Sequence, residues 1–173
     1  MKIIIRNARH DDLDTMTMLL GGLFSIETDF AVDPRCQRRG LALMLDGCMK
    51  HRCIKVAETD DRVVGMCSAQ LLISTAQGGM AALVEDMVVK EGFQGMGIGR
   101  QLMNAIEQWA VDHGAGRLQL LADRNNHPAL AFYKNLEWQS TQLICMRKTH
   151  TSFKSPKSPF LFSNSQNQEF DPS

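Results

Sequence analysis

The sequence predicts a mixed α/β fold, and three features carry that prediction. Residues 54–89 read with a period of two, broken by short polar turns, which is the pattern of antiparallel strands joined in hairpins. The run Leu83 to Val89 leads through the polar turn Lys90 to Phe93 into Gly95, Gly97 and Gly99, and then into helix-spaced Ile98, Leu102, Met103 and Ile106. A second apolar run, Leu118 to Leu121, follows that helix, so strand, helix and strand form a parallel crossover. Helical stretches on either side bring the expected total to about four, enough to cover both faces of the sheet.

Taken in order, Ile3 to Arg6 is the first predicted strand. Asp11 or Asp12 caps a helix whose apolar positions are Leu13, Met16, Leu19, Leu20 and Leu23, with Gly21-Gly22 as a kink or stop. After an acidic turn, Pro34 opens a second helix running to about Lys50, with Leu41, Leu45 and Cys48 on its apolar face. Ile54 to Thr59 and Arg62 to Ser74 pair about a tight Asp60-Asp61 turn, and Met80 to Val89 is the central strand. Gly114 stops the helix after the glycine cluster. Leu118 to Leu121 reads as a strand buried on both faces. Pro128 starts a last helix, and Trp138 to Met146 supplies a final strand or strand pair.

At 173 residues the chain suits one domain with an ample core, here 1–148. A formal net charge of zero argues against nucleic acid or an anionic membrane as the main partner, and no apolar run reaches the length of a membrane span. Five cysteines, odd in number and without a C-x-x-C pair, predict reduced thiols in a cytoplasmic protein, since the short apolar start is no export signal. The histidines lack metal-ligand spacing, so no metal is expected. From 149 to 173 the chain turns Ser-, Pro- and Asn-rich. That composition reads as a disordered tail, against which its phenylalanines predict one that docks on its own chain or on a neighbouring subunit of a homodimer.

A strand, a glycine turn and a helix in that order make an anion site. The first N–H groups of a helix have no intrahelical partner and lie at its positive end, and glycines let a phosphate approach them. A Walker A loop needs Gly-Lys-Ser/Thr, whereas Arg100 and Gln101 follow Gly99. A dinucleotide fingerprint needs G-x-G-x-x-G, and these glycines alternate. Gln94, Gly97 and Gly99 instead fill Q/R-x-x-G-x-G/A, and here the chain resembles the GCN5-related N-acetyltransferase (GNAT) family, whose acetyl-CoA pyrophosphate loop carries that pattern after a strand.

The resemblance extends from about Lys2 to Lys148, with a second motif at Asn126 to Trp138 that is similar to N-x-x-A-x-x-F-Y-x-x-x-G-F/W. The family usually has glycine where Glu137 stands, so Glu137 must adopt another geometry or accept strain of roughly 1 kcal/mol or more. The resemblance implies a GNAT-like, mostly antiparallel sheet splayed at its middle strands, with acetyl-CoA as co-substrate between them. It assigns cofactor contacts to Met87, Val88 and Val89 on the strand, to Gln94, Gly95, Met96, Gly97, Ile98, Gly99 and Arg100 at the loop, and to Asn126 and Phe132. Met87 and Val89 are the positions whose backbone would pair with the pantetheine arm.

Acetyl transfer to an amine needs a free lone pair, a stabilised oxyanion and a proton for the leaving thiolate. Freeing an alkylamine of pKa about 10.4 at neutrality costs roughly 4–5 kcal/mol, which a carboxylate can supply. Glu85 and Asp86 are adjacent on the central strand, so a regular strand points them to opposite faces and only one faces the cleft. A bulge would reset that phase, and parity alone does not choose. The run Val84 to Val89 resembles the polyamine (diamine) acetyltransferase subgroup, and that resemblance favours Glu85 as the base. A salt bridge at a strand edge is the plain alternative for either carboxylate. Tyr133, the one tyrosine and at the family's position, is the candidate acid, against a role as a core aromatic.

Glu27, Asp29, Phe30 and Asp33 fall in the turn that forms one wall of the family's acceptor site. With Asp86 they predict a mouth suited to a cationic primary amine, unless Arg35, Arg38 and Arg39 neutralise it. The reading is therefore an acetyl-CoA-dependent N-acetyltransferase acting by direct attack in a ternary complex. Its rivals are an inactive CoA-binding sensor or partner module and, more remotely, a nucleotide-binding α/β protein.

Overall fold

Asp60 and Asp61 both take left-handed backbone, with φ of 47° and 57°, as a two-residue turn between right-twisted strands requires. The turn joins β2 (Arg52–Thr59) to β3 (Arg62–Ser74) in the computed structural model, which describes residues 1–26, 31–47 and 50–148. β1 (Ile4–Asn7) pairs with β2, and β4 (Gly79–Val89) pairs with β3, all antiparallel. β5 (Ala115–Leu120) lies parallel to β4, giving a five-stranded sheet in the order β1-β2-β3-β4-β5. The mixed, mostly antiparallel sheet is the predicted one.

Among the described residues four α-helices flank it. On one face α1 (Leu13–Phe24) and α2 (Pro34–Asp46) bury Leu13, Met16, Leu20, Leu41 and Leu45 against Ile54, Val56 and Met66 of the sheet. On the other, α3 (Ile98–Asp112) buries Leu102, Met103, Ile106 and Trp109 against Cys67, Ala69, Ala82 and Val84. Each fully buried apolar side chain contributes roughly 1.5–3 kcal/mol, so α3 is held by its i, i+3, i+4 stripe. α4 (His127–Lys134) starts where predicted: Asn126 Oδ1 accepts from Ala129 N at 3.1 Å, and Pro128 sits in the first turn. Gly114, at φ 78°, ends α3.

Several expectations give way. α1 continues through Gly21-Gly22 to Phe24, because its buried leucines hold the helix past two poor helix formers. Asp12 precedes α1 without capping it: its carboxylate accepts from both Arg6 Nη atoms, at 2.7 and 2.9 Å, and from Arg9 N at 2.7 Å. α2 stops at Asp46 rather than near Lys50. Among the described residues β5 is an edge strand, not one buried on both faces, and Leu121 beyond it is 66% exposed. Residues 138–146 form no strand. The chain divides into two units, Met1–Thr141 and Gln142–Ser173. In the second, described residues 142–148 carry neither helix nor strand, and the tail 149–173 lies outside the described residues, as does Cys48. The other four cysteines form no disulfide among the described residues.

Glu137 accepts the strain: its φ is +66°. Glu137→Gly is expected to leave the fold unchanged and raise stability by about 0.5 kcal/mol, the left-handed penalty relieved less the entropy a glycine adds to the unfolded chain. A chemical denaturation midpoint that falls would contradict it.

Candidate active site

Gly97 is the N-cap of α3 at φ 74°, a conformation that costs an L side chain, and no side chain caps the helix. The amides of Ile98, Gly99 and Arg100 therefore meet no carbonyl one turn back. A methyl group at the Cβ position of Gly95 or Gly97 would have no neighbour within 4 Å, so the space before those amides is open. Gly99 differs. A Cβ there would stand 3.1 Å from Met87 Cε and 3.1 Å from Phe132 Cζ, so this glycine serves close packing of α3 against β4 and α4. Gln94 Nε2 donates to Val89 O at 3.0 Å and ties the loop back to β4. Arg100 turns to α4, where Nη2 donates to Asn135 O at 3.2 Å. Ile98 is buried and Met96 is half-exposed.

The β4–β5 ladder ends at Val84↔Leu120. Among the described residues β4 pairs beyond it only with β3, and Lys90 N donates to Val64 O at 2.8 Å. Strand alternation then turns the backbone of Val88 toward β3 and that of Met87 and Val89 toward the open side. Against β3 the register runs Met66↔Val88 and then Ser68↔Glu85, so two residues, Asp86 and Met87, oppose Cys67. This is a β-bulge, and Asp86 holds it at φ +52°.

The bulge overturns the expectation that Glu85 and Asp86 face opposite ways. Asp86 Oδ2 accepts from Ser68 Oγ at 3.0 Å, and Glu85 Oε2 accepts from Gln70 Nε2 at 3.2 Å. Ser68 and Gln70 are two apart on β3 and share a face. Both carboxylates therefore lie on one side of the sheet. Glu85 is exposed. Burial pushes the Asp86 carboxyl up to about 6, against the Ser68 hydrogen bond and with help from the Glu85 charge.

Both carboxylates line a cleft that Leu23, Asp123, Asn126 and Tyr133 also line. Tyr133 stands with its ring 5.3 Å from Phe132 and 6.2 Å from Trp138, edge-on and tilted respectively. Asp123 was missed by sequence reasoning. Its Oδ1 accepts from Asn125 N at 2.8 Å in an Asx turn, and an aspartate three places before the Asn126 cap was the available signal. Among the described residues no Lys, Arg or His lines the cleft.

The acceptor wall is less well served. Asp33 caps α2, with Oδ1 accepting from Arg35 N at 3.0 Å and Cys36 N at 3.3 Å, while Cys36 Sγ donates to Oδ2 at 3.3 Å. These bonds, the thiol's first, hold its carboxyl below the usual carboxylate range. Glu27, Asp29 and Phe30 lie outside the described residues.

A sheet parted beside a bare helix N-terminus, with carboxylates and a tyrosine on the parting, defines an acyl-transfer protein of mixed α/β class. The chain belongs to the acetyltransferase (GNAT) family, whose pattern it matches over residues 46–138, and it is an N-acetyltransferase. Over 138 residues it is 24% identical to a Bacillus subtilis (strain 168) protein provisionally named [ribosomal protein bS18]-alanine N-acetyltransferase, covering 80% of this chain and 82% of that one. A possible acetyltransferase from Clostridium difficile 630 superposes with a TM-score of 0.75 at 22% identity, covering 86% and 97% of the two chains. The aminoglycoside N-acetyltransferase AAC(6')-Iy, solved in complex with CoA, does so with a TM-score of 0.72 at 15% identity over 86% and 95%. Among the described residues no helix is long and apolar enough to cross a membrane.

Proposed function

We propose that the protein transfers acetyl from acetyl-CoA to a cationic primary amine by direct attack in a ternary complex. The observation that supports it most is the cleft itself, which brings Glu85, Asp86 and Tyr133 together beside the stretch of β4 that lies beyond its pairing with β5. The fit to acetyl-CoA rests on the open space at Gly95 and Gly97, which a Cβ would fill, and on the open-side backbone of Met87 and Val89. The α3 amides would hold the pyrophosphate, with Gln94 shaping the loop, while Met87, Val89, Asn126 and Phe132 line the pantetheine path. Bound there, acetyl-CoA supplies an activated thioester carbonyl and a thiolate leaving group.

The protein's own groups do the rest. A carboxylate of the Glu85–Asp86 pair takes the ammonium proton, the acceptor nitrogen then bonds to the carbonyl carbon, and the Tyr133 hydroxyl protonates the departing sulfur. Three carboxylates with no facing cation among the described residues make the cleft attractive to amines carrying a second positive charge, such as polyamines, aminoglycosides or lysine-like amines. Alanine α-amines belong in the same test, because a relative is named for that acceptor.

Incubation with acetyl-CoA and putrescine, spermidine, sisomicin, an N-acetylated lysine amide, an alanine-ended peptide and neutral amines, followed through free CoA thiol, tests this. Cationic acceptors should lead, with a KM that rises with salt. Asp123→Asn keeps the Asx-turn acceptor and removes the charge, so it should raise that KM about threefold to tenfold without changing acetyl-CoA affinity. Acetyl-CoA binding with no thiol release from any amine would mark a sensor, and preference for acidic acceptors would reverse the charge argument.

A further inference from the structure

We infer that Asp86, rather than Glu85, takes the acceptor's proton, and that Ser68 is the residue that positions it. The inference rests on the acetyl-transfer reading above. The bulge sets both carboxylates on one face of the sheet but in unlike surroundings. Asp86 is tucked against Ser68, itself 1% exposed, whose hydroxyl holds one carboxylate oxygen at 3.0 Å and leaves the other for a proton. Glu85 is exposed at the cleft, with only the Gln70 amide at 3.2 Å drawn to it.

The two environments ask different things of an ammonium group. In water a carboxylate and an ammonium persist as an ion pair, and the proton stays where it is. Out of water both charges are disfavoured, and moving the proton across removes both at once. The groups facing Asp86 reinforce that. From β3 comes the Ser68 hydroxyl, while the Cys67 thiol lies on the opposite face against Met103 of α3, where burial and then the Asp86 charge push its pKa up. Glu85 adds a second negative charge from β4 itself. Across the cleft stand Tyr133 of α4, Asp123 before α4 and Leu23 of α1. None of these is a cation that would keep Asp86 ionised. Its carboxyl accordingly titrates at about 6, within reach of neutral pH as an acceptor.

The proton ledger closes. One proton passes from the ammonium nitrogen to the Asp86 carboxylate and on to solvent. The freed lone pair forms the C–N bond as the C–S bond breaks, Tyr133 gives its proton to sulfur, and the second nitrogen proton restores Tyr133. Amine, as ammonium, plus acetyl thioester yields amide, thiol and one released proton. Glu85 holds the incoming ammonium at the mouth.

Rates with spermidine at saturating acetyl-CoA, from pH 5 to pH 9, separate the two carboxylates. The wild type should show an acid limb near pH 6. Asp86→Asn, which tolerates the left-handed backbone, should lose the limb and turn over about 10²–10⁴-fold more slowly. Glu85→Gln should raise KM about tenfold and keep the limb. Ser68→Ala should move the limb to higher pH, because the hydrogen bond it removes favours the ionised form. If Glu85→Gln abolishes the limb instead, the assignment is wrong. A second readout needs no acceptor: the Asp86 carboxyl carbon resonance, assigned through its absence in Asp86→Asn, should titrate near 6 and shift upward in Ser68→Ala. A midpoint in the ordinary aspartate range, about 4, overturns the inference even if an acceptor is found. Failure of every amine with that titration intact would instead count against the acetyl-transfer reading.

Discussion

Tyr133→Phe is expected to cut kcat by ~10²–10⁴-fold while the fold and the affinity for acetyl-CoA stay as they are. The ring is held by Phe132 at 5.3 Å and Trp138 at 6.2 Å, contacts that phenylalanine reproduces. What disappears is the hydroxyl. A thiolate can leave unprotonated, but a donor at hydrogen-bond range lowers the barrier to C–S cleavage, and a phenol remains protonated at neutral pH. Single-turnover thiol release with excess enzyme would isolate that step, and the melting temperature would control for packing. A loss smaller than about threefold would return Tyr133 to the role of a packed aromatic.

Gly97→Val is expected to weaken acetyl-CoA binding about a hundredfold, or about 3 kcal/mol, with the fold retained. At φ 74° a β-branched residue is strained by about 1–2 kcal/mol, and its side chain enters the open space before the α3 amides. A pyrophosphate kept from those amides loses charge-assisted hydrogen bonds worth roughly 1.5–3 kcal/mol each. Gly99→Val makes a contrast. Its methyls press on Met87 and Phe132, so its first effect falls on the fit of α3 to β4 and α4, and only through that on binding. Calorimetric titration beside thermal melting distinguishes the two variants. Unchanged affinity in a folded Gly97→Val protein would remove the loop from the cofactor site.

Much of this was legible in the chain because it depends on local rules. The strand, glycines and helix from Leu83 to Ile106, the Asp60-Asp61 turn and the Asn126-His127-Pro128 helix start all depend on residues close in sequence. The facing of Glu85 and Asp86 was not legible. It hangs on one dihedral at Asp86 and on the register of β3, and a single extra residue shifts everything beyond it. Leu118 to Leu121 looked like a doubly buried strand because an apolar run does not disclose whether a neighbour will pair with it. Asp33 looked like part of an acidic mouth, but a carboxylate just before Pro34 is also a helix cap, and here the nearby amides claim it. Gly21-Gly22 misled in the opposite sense, since the buried Leu19 and Leu20 just before them outweighed local propensity.

The bulge at Asp86 also has a thermodynamic consequence. The carboxyl moves from an ordinary 3.8 to about 6 in the fold, so between those values the native state binds more protons than the unfolded chain. Stability from the neutral carboxyl is complete below about pH 4 and drains away as the pH climbs through 6. At pH 8 the fold therefore carries a half-buried anion that costs it on the order of 2–3 kcal/mol. Asp86→Asn should melt at a higher temperature than the wild type at pH 8, and the gap should narrow toward pH 4. The same carboxylate that equips the cleft to accept a proton is thus a standing debt against the folded state, and it deepens as the medium becomes more alkaline.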